Sequence, residues 1–171
     1  DAFGGDTEND GSTTTPAKGD WSYLGVDQGG LAEFDNCNIR YAGYNNYGSV
    51  RFYTNAYGFV KNSVVEQSSS DGITKNYSGN VEILNNIISE NDRYGINIYG
   101  TQDTLMIDEN QINNSGSHGI YLSSTISTDI NNNSLLDVQN NGKINASSLP
   151  TSSAGLSSGD IWNNSGVLNI V

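Results

Sequence analysis

Three hexapeptides decide the fold: ILNNII (Ile83–Ile88), IDENQI (Ile107–Ile112) and INNNSL (Ile130–Leu135). Each reads apolar, two variable, Asn, one variable, apolar. FVKNSV (Phe59–Val64) fits the same frame, and FDNCNI (Phe34–Ile39) fits with Cys in the Asn slot. The first apolar positions are 34, 59, 83, 107 and 130, so the steps are 25, 24, 24 and 23 residues. Twelve to fourteen residues into each unit comes a glycine: Gly48, Gly72, Gly95, Gly119 and Gly142. Two columns holding phase over five units is more than Asn-rich sequence produces by chance.

Each unit carries two or three short alternating stretches between turn residues, and none can bury its apolar face alone. The units must therefore stack. The spacing predicts an all-β chain, a right-handed parallel β-helix of about five or six coils over residues 21–146. Equivalent strands then pair in parallel at about 4.8 Å. Cys37, Asn62, Asn86, Asn110 and Asn133 would line one inward turn, each amide bonding its neighbours above and below, with Cys37 as a small buried hydrophobe. The glycine column marks a turn that needs positive φ or a close approach between coils. Trp21, Leu24 and Val26 supply an irregular first coil.

Composition agrees. Asn, Ser, Gly, Thr and Tyr are abundant while good helix formers are sparse. The net charge is -12 with only seven Lys and Arg, which disfavours nucleic acid and anionic membrane surfaces as partners. No apolar run is long enough to span a bilayer, so membrane insertion is not expected. Cys37 is the single cysteine, so no intrachain disulfide can form. The chain starts at Asp1, which suggests processing or a longer parent.

Residues 21–146 resemble right-handed parallel β-helix proteins in general: pectate-lyase-like enzymes, viral tailspikes and bacterial surface proteins. That resemblance implies a fold and leaves function open. Residues 1–20 form an acidic leader resembling the start of some bacterial β-helix proteins, with a possible capping role. Within it Asp6, Glu8 and Asp10 before Gly11 resemble the opening of a calcium loop. Glu8 is unusual at its ligand position, and Ala17 stands where a bidentate Glu is expected. Asp20 could replace that ligand if the loop folds back; the other reading is a solvated acidic leader. No other cofactor is indicated.

Residues 147–171 belong to no repeat. The run LPTSSAGLSSGDIWNNSGVLNIV resembles a segment found at the C-termini of many tailed-bacteriophage structural proteins, through Leu149, Pro150, Thr151, Ser152, Gly155, Leu156, Gly159, Trp162, Gly166, Leu168 and Ile170. The resemblance implies a virion component: a tail fibre, spike, baseplate or decoration protein. Its partners would be other virion proteins and further copies of itself, as a homo-oligomer such as a trimer. Independently of the family, Asp160–Asn163 and Val167–Val171 flank a turn-like Asn164-Ser165-Gly166 and predict a hairpin. Trp162 gives it an apolar anchor, so it reads as a cap, an assembly element or both.

Chemistry is sparse. Counting seven residues into each unit places Glu66 and Glu90 in one column with Tyr41, Asn114 and Asp137, one rung apart, near the carboxyl spacing of retaining glycosidases. The fold imposes that spacing on any column, so exposed acids are the plain alternative. Around the glycine column, Tyr47, Asp71, Tyr94, His118 and Asn141 share a position, and Tyr53, Tyr99 and Tyr121 project outward nearby. Tyrosine and histidine rings pack on sugar CH faces while amides reach hydroxyls. Tyr47, Tyr53, Tyr94, Tyr99, His118 and Tyr121 are therefore the candidate contacts for a host-surface polysaccharide. The plain alternative is that Tyr is simply a comfortable surface strand residue. With the C-terminal resemblance, the reading is a non-enzymatic virion protein of the extracellular particle, a rigid building block or a host-surface contact, with host-surface glycan as one ligand such a face could take. A depolymerising tailspike-like hydrolase or lyase, and a secreted or surface bacterial adhesin, remain as alternatives.

Overall fold

The computed structural model describes residues 15–100, 104–123, 128–136, 154, 161–164 and 167–170. Five rungs of three short strands follow one another along the chain. The first rung is β1 (Leu24–Val26), β2 (Leu31–Asp35) and β3 (Asn38–Arg40); the second is β4 (Val50–Phe52), β5 (Tyr57–Lys61) and β6 (Val64–Glu66). The third is β7 (Ile73–Asn76), β8 (Val81–Leu84) and β9 (Ile87–Ser89), and the fourth β10 (Tyr94–Tyr99), β11 (Leu105–Asp108) and β12 (Gln111–Asn113). The fifth is β13 (His118–Leu122), β14 (Thr128–Asn131) and β15 (Ser134–Leu136). Like strands pair in parallel to make three sheets: β1-β4-β7-β10-β13 (sheet A), β2-β5-β8-β11-β14 (sheet B) and β3-β6-β9-β12-β15 (sheet C). The result is a parallel β-solenoid. Four rung spacings put its outermost strands about 19 Å apart.

The interior is built from columns. Phe34, Val60, Ile83, Ile107 and Ile130 are in register along sheet B, and Ile39, Val65, Ile88 and Ile112 along sheet C. Val50, Ile73 and Ile96 face them from sheet A, and all three are fully buried. Branched aliphatic side chains suit both the pleat and the stacking, since each sits on a like residue one rung away. At the last rung Ile130 is 39% exposed, where Ile107 above it is fully buried.

Register corrects one of the expected alignments. Val60, not Phe59, pairs with Ile83, so the repeating apolar positions are 34, 60, 83, 107 and 130. Ser63 therefore takes the inward slot between Cys37 and Asn86, and Asn62 does not belong to the ladder. The inward ladder runs Cys37, Ser63, Asn86, Asn110, Asn133. The Asn133 amide oxygen accepts from the Asn110 backbone N–H and side-chain amide at 3.0 and 2.9 Å. Asn110 Oδ1 accepts likewise from Asn86 at 3.0 and 2.9 Å, Asn86 Oδ1 accepts from Ser63 N at 3.0 Å, and Ser63 Oγ accepts from Cys37 N at 3.0 Å. Cys37 is half-buried against the core, as a small hydrophobe at the first position.

Asn62 instead occupies the preceding corner residue with Asn36, Asn85, Glu109 and Asn132, all at φ between 48° and 55° in the left-handed region. Asn tolerates that conformation better than most side chains. A second inward column of small or polar residues, Ala42, Ser68, Asn91 and Ser115, lines the next corner, and all four are buried. Asn91 Oδ1 accepts there from Ser68 N at 3.1 Å.

The glycine column survives with one change. Val50 aligns with Ile73, so Ser49 holds the position of Gly72, Gly95 and Gly119, and Gly48 lies one residue before it. Gly142 falls outside the described residues. None of Gly72, Gly95 and Gly119 has a positive φ, so close approach is the reason for glycine. A Cβ on Gly95 would lie 2.5 Å from Ile112 Cγ2 and 2.6 Å from the Gly119 carbonyl oxygen. That carbonyl is part of the sheet and cannot retreat. Gly95→Ala is expected to cost about 2–3 kcal/mol through overpacking, read as a lowered midpoint in urea unfolding.

The predicted C-terminal hairpin is present: β16 (Ile161–Asn164) pairs antiparallel with β17 (Val167–Ile170), Asn164 opposite Val167. Among the described residues no helix is long and apolar enough to cross a membrane.

Candidate functional site

The outward face of sheet A concentrates the aromatic and cationic side chains. Along β4, β7, β10 and β13 the outward column is Arg51, Thr74, Asn97, Tyr121, and the flanking column is Asn76 and Tyr99. Tyr94 and His118 are paired neighbours one step earlier. Tyr94 and Tyr121 stack face to face, with ring centroids 4.6 Å apart and planes inclined by 6°. His118 lies at 5.6 and 5.7 Å from those two rings, and its Nδ1 shares a 2.8 Å hydrogen bond with Ser117 Oγ. At the other end Tyr23 packs on Tyr47 with centroids 4.7 Å apart, and its hydroxyl lies 3.0 Å from that of Tyr53. That bond is the main reason the Tyr53 phenol is pushed up from its ordinary value. Burial, followed by the neighbouring Tyr121, raises Tyr94.

Between the two clusters lies a groove of about 420 Å³. Its floor is Asp71, fully buried, and its walls include Arg51, Arg93, Tyr77 and Tyr99. Arg93 reaches across one rung and grips Asp71 with both arms of its guanidinium, Nε to Oδ1 and Nη2 to Oδ2 at 2.6 Å each. The hydrogen bond to Asp71 is also what raises the Arg93 pKa. Asn97 Nδ2 and Thr74 Oγ1 donate to the same carboxylate at 2.6 and 3.1 Å. Arg51 lies over Tyr47 and Tyr53, its guanidinium carbon 4.9 and 4.6 Å from the ring centroids.

The sequence matches the family described as right handed beta helix region, over residues 22–167. The chain belongs to the right-handed beta helix family. Comparison with the curated proteins and with the solved structures gives no match. Membership fixes the handed solenoid and is silent on whether this β-helix acts as an enzyme, a binder or a building block.

The β-helix gathers the six expected sugar contacts on one face, with a shift of register at one of them. Tyr53, Tyr94, Tyr99, His118 and Tyr121 stand on or beside sheet A strands, all half-buried. Tyr47 reaches the same face from the loop after a short 3-10 turn (Tyr44–Asn46), and Gly48, not Tyr47, aligns with Asp71 and Tyr94. The column expected to hold both Glu66 and Glu90 is not formed. Glu66 aligns with Arg40 and Ser89 on sheet C, is ion-paired to Arg40 at 2.5 Å and accepts from Ser89 Oγ at 3.1 Å. Glu90 belongs to the following corner with Tyr41, Gln67 and Asn114, which share its left-handed φ, and accepts from Gln67 Nε2 at 3.2 Å. The two carboxylates thus occupy different columns.

Asp6, Glu8, Asp10 and the side chain of Trp162 lie outside the described residues. Among those that are described, no group of three or more His, Cys, Asp or Glu is placed to hold a metal ion. Sequence reasoning missed Tyr23, Arg51, Asn76, Tyr77 and Arg93. A usable signal existed, because the chain has only three arginines and two of them, Arg51 and Arg93, fall on this face.

Proposed function

We propose that this β-helix is a non-catalytic, glycan-contacting protein that lays a saccharide chain along its axis across sheet A. The observation carrying this reading is the run of half-buried aromatic side chains on one sheet face, with the amide of Asn76 and a polar groove between them. Rings offer flat apolar surface to sugar CH groups, and the rung repeat of about 4.8 Å presents such surfaces at intervals comparable with one pyranose unit. Glycan-array binding followed by titration calorimetry tests it. Tyr121→Ala removes one half of the Tyr94–Tyr121 stack and is expected to weaken the best array ligand about tenfold, equal to the ~1.4 kcal/mol of an aromatic contact. An array on which the native protein binds no saccharide at millimolar concentration would sink the reading.

The C-terminal residues favour a location for this activity. The segment from Leu149 to Ile170 resembles virion proteins of tailed bacteriophages, and its two strands pair as a hairpin. We therefore place the protein in a virion, touching other virion proteins and host-surface polysaccharide. Peptide mass spectrometry of purified particles tests that placement. Stoichiometric peptides support it; recovery from the cell envelope or medium alone would make the adhesin reading the better one.

A further inference from the structure

The sheet A groove presents an arginine that, among the described residues, has no counter-charge on a strongly acidic chain, and that singles out a ligand class. Of the two guanidiniums on the face, Arg93 is held by the buried carboxylate of Asp71 and adds no net charge. Among the described residues Arg51 has no carboxylate within ion-pair distance. It is held by neutral groups. Tyr47 and Tyr53 support its plane. Asn76, with its amide oxygen toward Arg51, accepts from Nε and Nη2 at 3.2 and 3.0 Å. Among the described residues two of its five N–H donors are used, which leaves three for something in the groove.

Resting on the saccharide reading, we propose that the groove takes an acidic saccharide whose ring-borne oxyanion docks on Arg51. A planar guanidinium already fixed by stacking matches a carboxylate or sulfate ester at little further cost in rotamer entropy. The uronic-acid carboxylate is the source the two-armed geometry fits best. The overall charge of -12 opposes a polyanion at long range. That repulsion is screened beyond about 8 Å at physiological salt, whereas a contact pair in the groove is not. Selection is therefore made at contact, one charged ring at a time.

The test compares three probes by calorimetry in 0.15 M salt: a uronic-acid hexasaccharide, the same hexasaccharide with its carboxyls reduced to alcohols, and a sulfated neutral hexasaccharide. The acid form is expected to bind about tenfold or more tighter than the reduced form. Arg51→Gln should bring the two to within about twofold of each other, and Arg51→Lys, which keeps charge but loses the fork, should leave an intermediate preference. Arg51-dependent binding of the sulfated probe in place of the uronate would keep the oxyanion site and name the ester as its ligand. Equal binding of acid and reduced forms by the native protein would overturn the proposal while leaving the saccharide reading standing. Failure of all three probes would remove both.

Discussion

Asn86→Ala is expected to lower the unfolding free energy by about 3–5 kcal/mol, while Asn62→Gly changes it by no more than about 0.5 kcal/mol. Asn86 is 1% exposed and sits in the middle of the inward ladder. Its oxygen accepts the Ser63 N–H at 3.0 Å, and its Nδ2 donates to the Val60 carbonyl at 2.8 Å and to Asn110 Oδ1 at 2.9 Å. Alanine strips all three away. A buried donor and a buried acceptor are left bare at about 1–3 kcal/mol each, and the vacated space is enclosed by coils above and below. Asn62 differs in both respects. It is exposed, its amide contacts are to Asp35 and Asn85 at the surface, and its φ of 49° is one that glycine adopts freely. Urea unfolding of the two variants measures the contrast. Comparable costs, or the larger one at Asn62, would mean that the coil register is wrong.

That pair of residues also shows what the sequence could and could not say. The period was legible because two demands recur in every coil: a branched apolar residue inside, and a corner that accepts Asn. The phase of the second coil was not legible, since Asn answers two different demands at adjacent positions. It tolerates the left-handed φ of the first corner residue, and it bonds up and down the ladder at the second. In Asn85-Asn86 and Asn132-Asn133 both are filled by Asn; in Asn62-Ser63 only the first is. Aligning Asn62 with Asn86 slipped that coil by one, and the same slip placed Glu66 beside Glu90. The three-residue turn Tyr44–Asn46 lengthens the first coil and moved Tyr47 and Gly48 out of phase in the same way.

Lys75 was hidden for another reason. It points inward in the column of Phe52 and Ile98, fully buried, and its ammonium shares its three N–H groups among the carbonyls of Tyr53, Asn76, Tyr77 and Ser78, at 3.3, 2.9, 2.6 and 2.6 Å. The three-dimensional convergence of those carbonyls helps make a buried cation tolerable there. The aromatic face was legible in outline because outward residues after the glycine column keep the coil period. Its charges were not, since Asp71 and Arg93 meet only through register, 22 residues apart.

Asp71→Asn should separate stability from affinity, moving them in opposite directions. Asp71 is fully buried and receives Arg93, Asn97 and Thr74, together with the Tyr94 N–H at 3.3 Å. An amide of the same shape keeps one oxygen, for Arg93 Nε and the Tyr94 N–H, but presents an N–H₂ where Arg93 Nη2, Asn97 Nδ2 and Thr74 Oγ1 donate. Asn97 Nδ2 is itself buried and would lose its acceptor, a cost of about 1–3 kcal/mol. The Nη2 bond from Arg93 goes as well, and its Nε bond is left with a neutral acceptor. Arg93 is 38% exposed along its side chain, so water recovers much of that loss, and the total should be about 2–4 kcal/mol rather than the larger penalty of a charge stranded in the core. The released guanidinium stays at the groove wall, now without its counter-charge. An acidic hexasaccharide held by Arg51, as proposed, would meet a second free cation lining the same groove, and should bind several-fold tighter to the folded variant. The carboxyl-reduced hexasaccharide should gain nothing. Chemical unfolding and calorimetry on the same preparation read both effects. A variant that is less stable and also weaker for the acidic sugar would show that Asp71 serves the groove by fixing the position of Arg93, and that its neutralisation of the charge costs the site nothing.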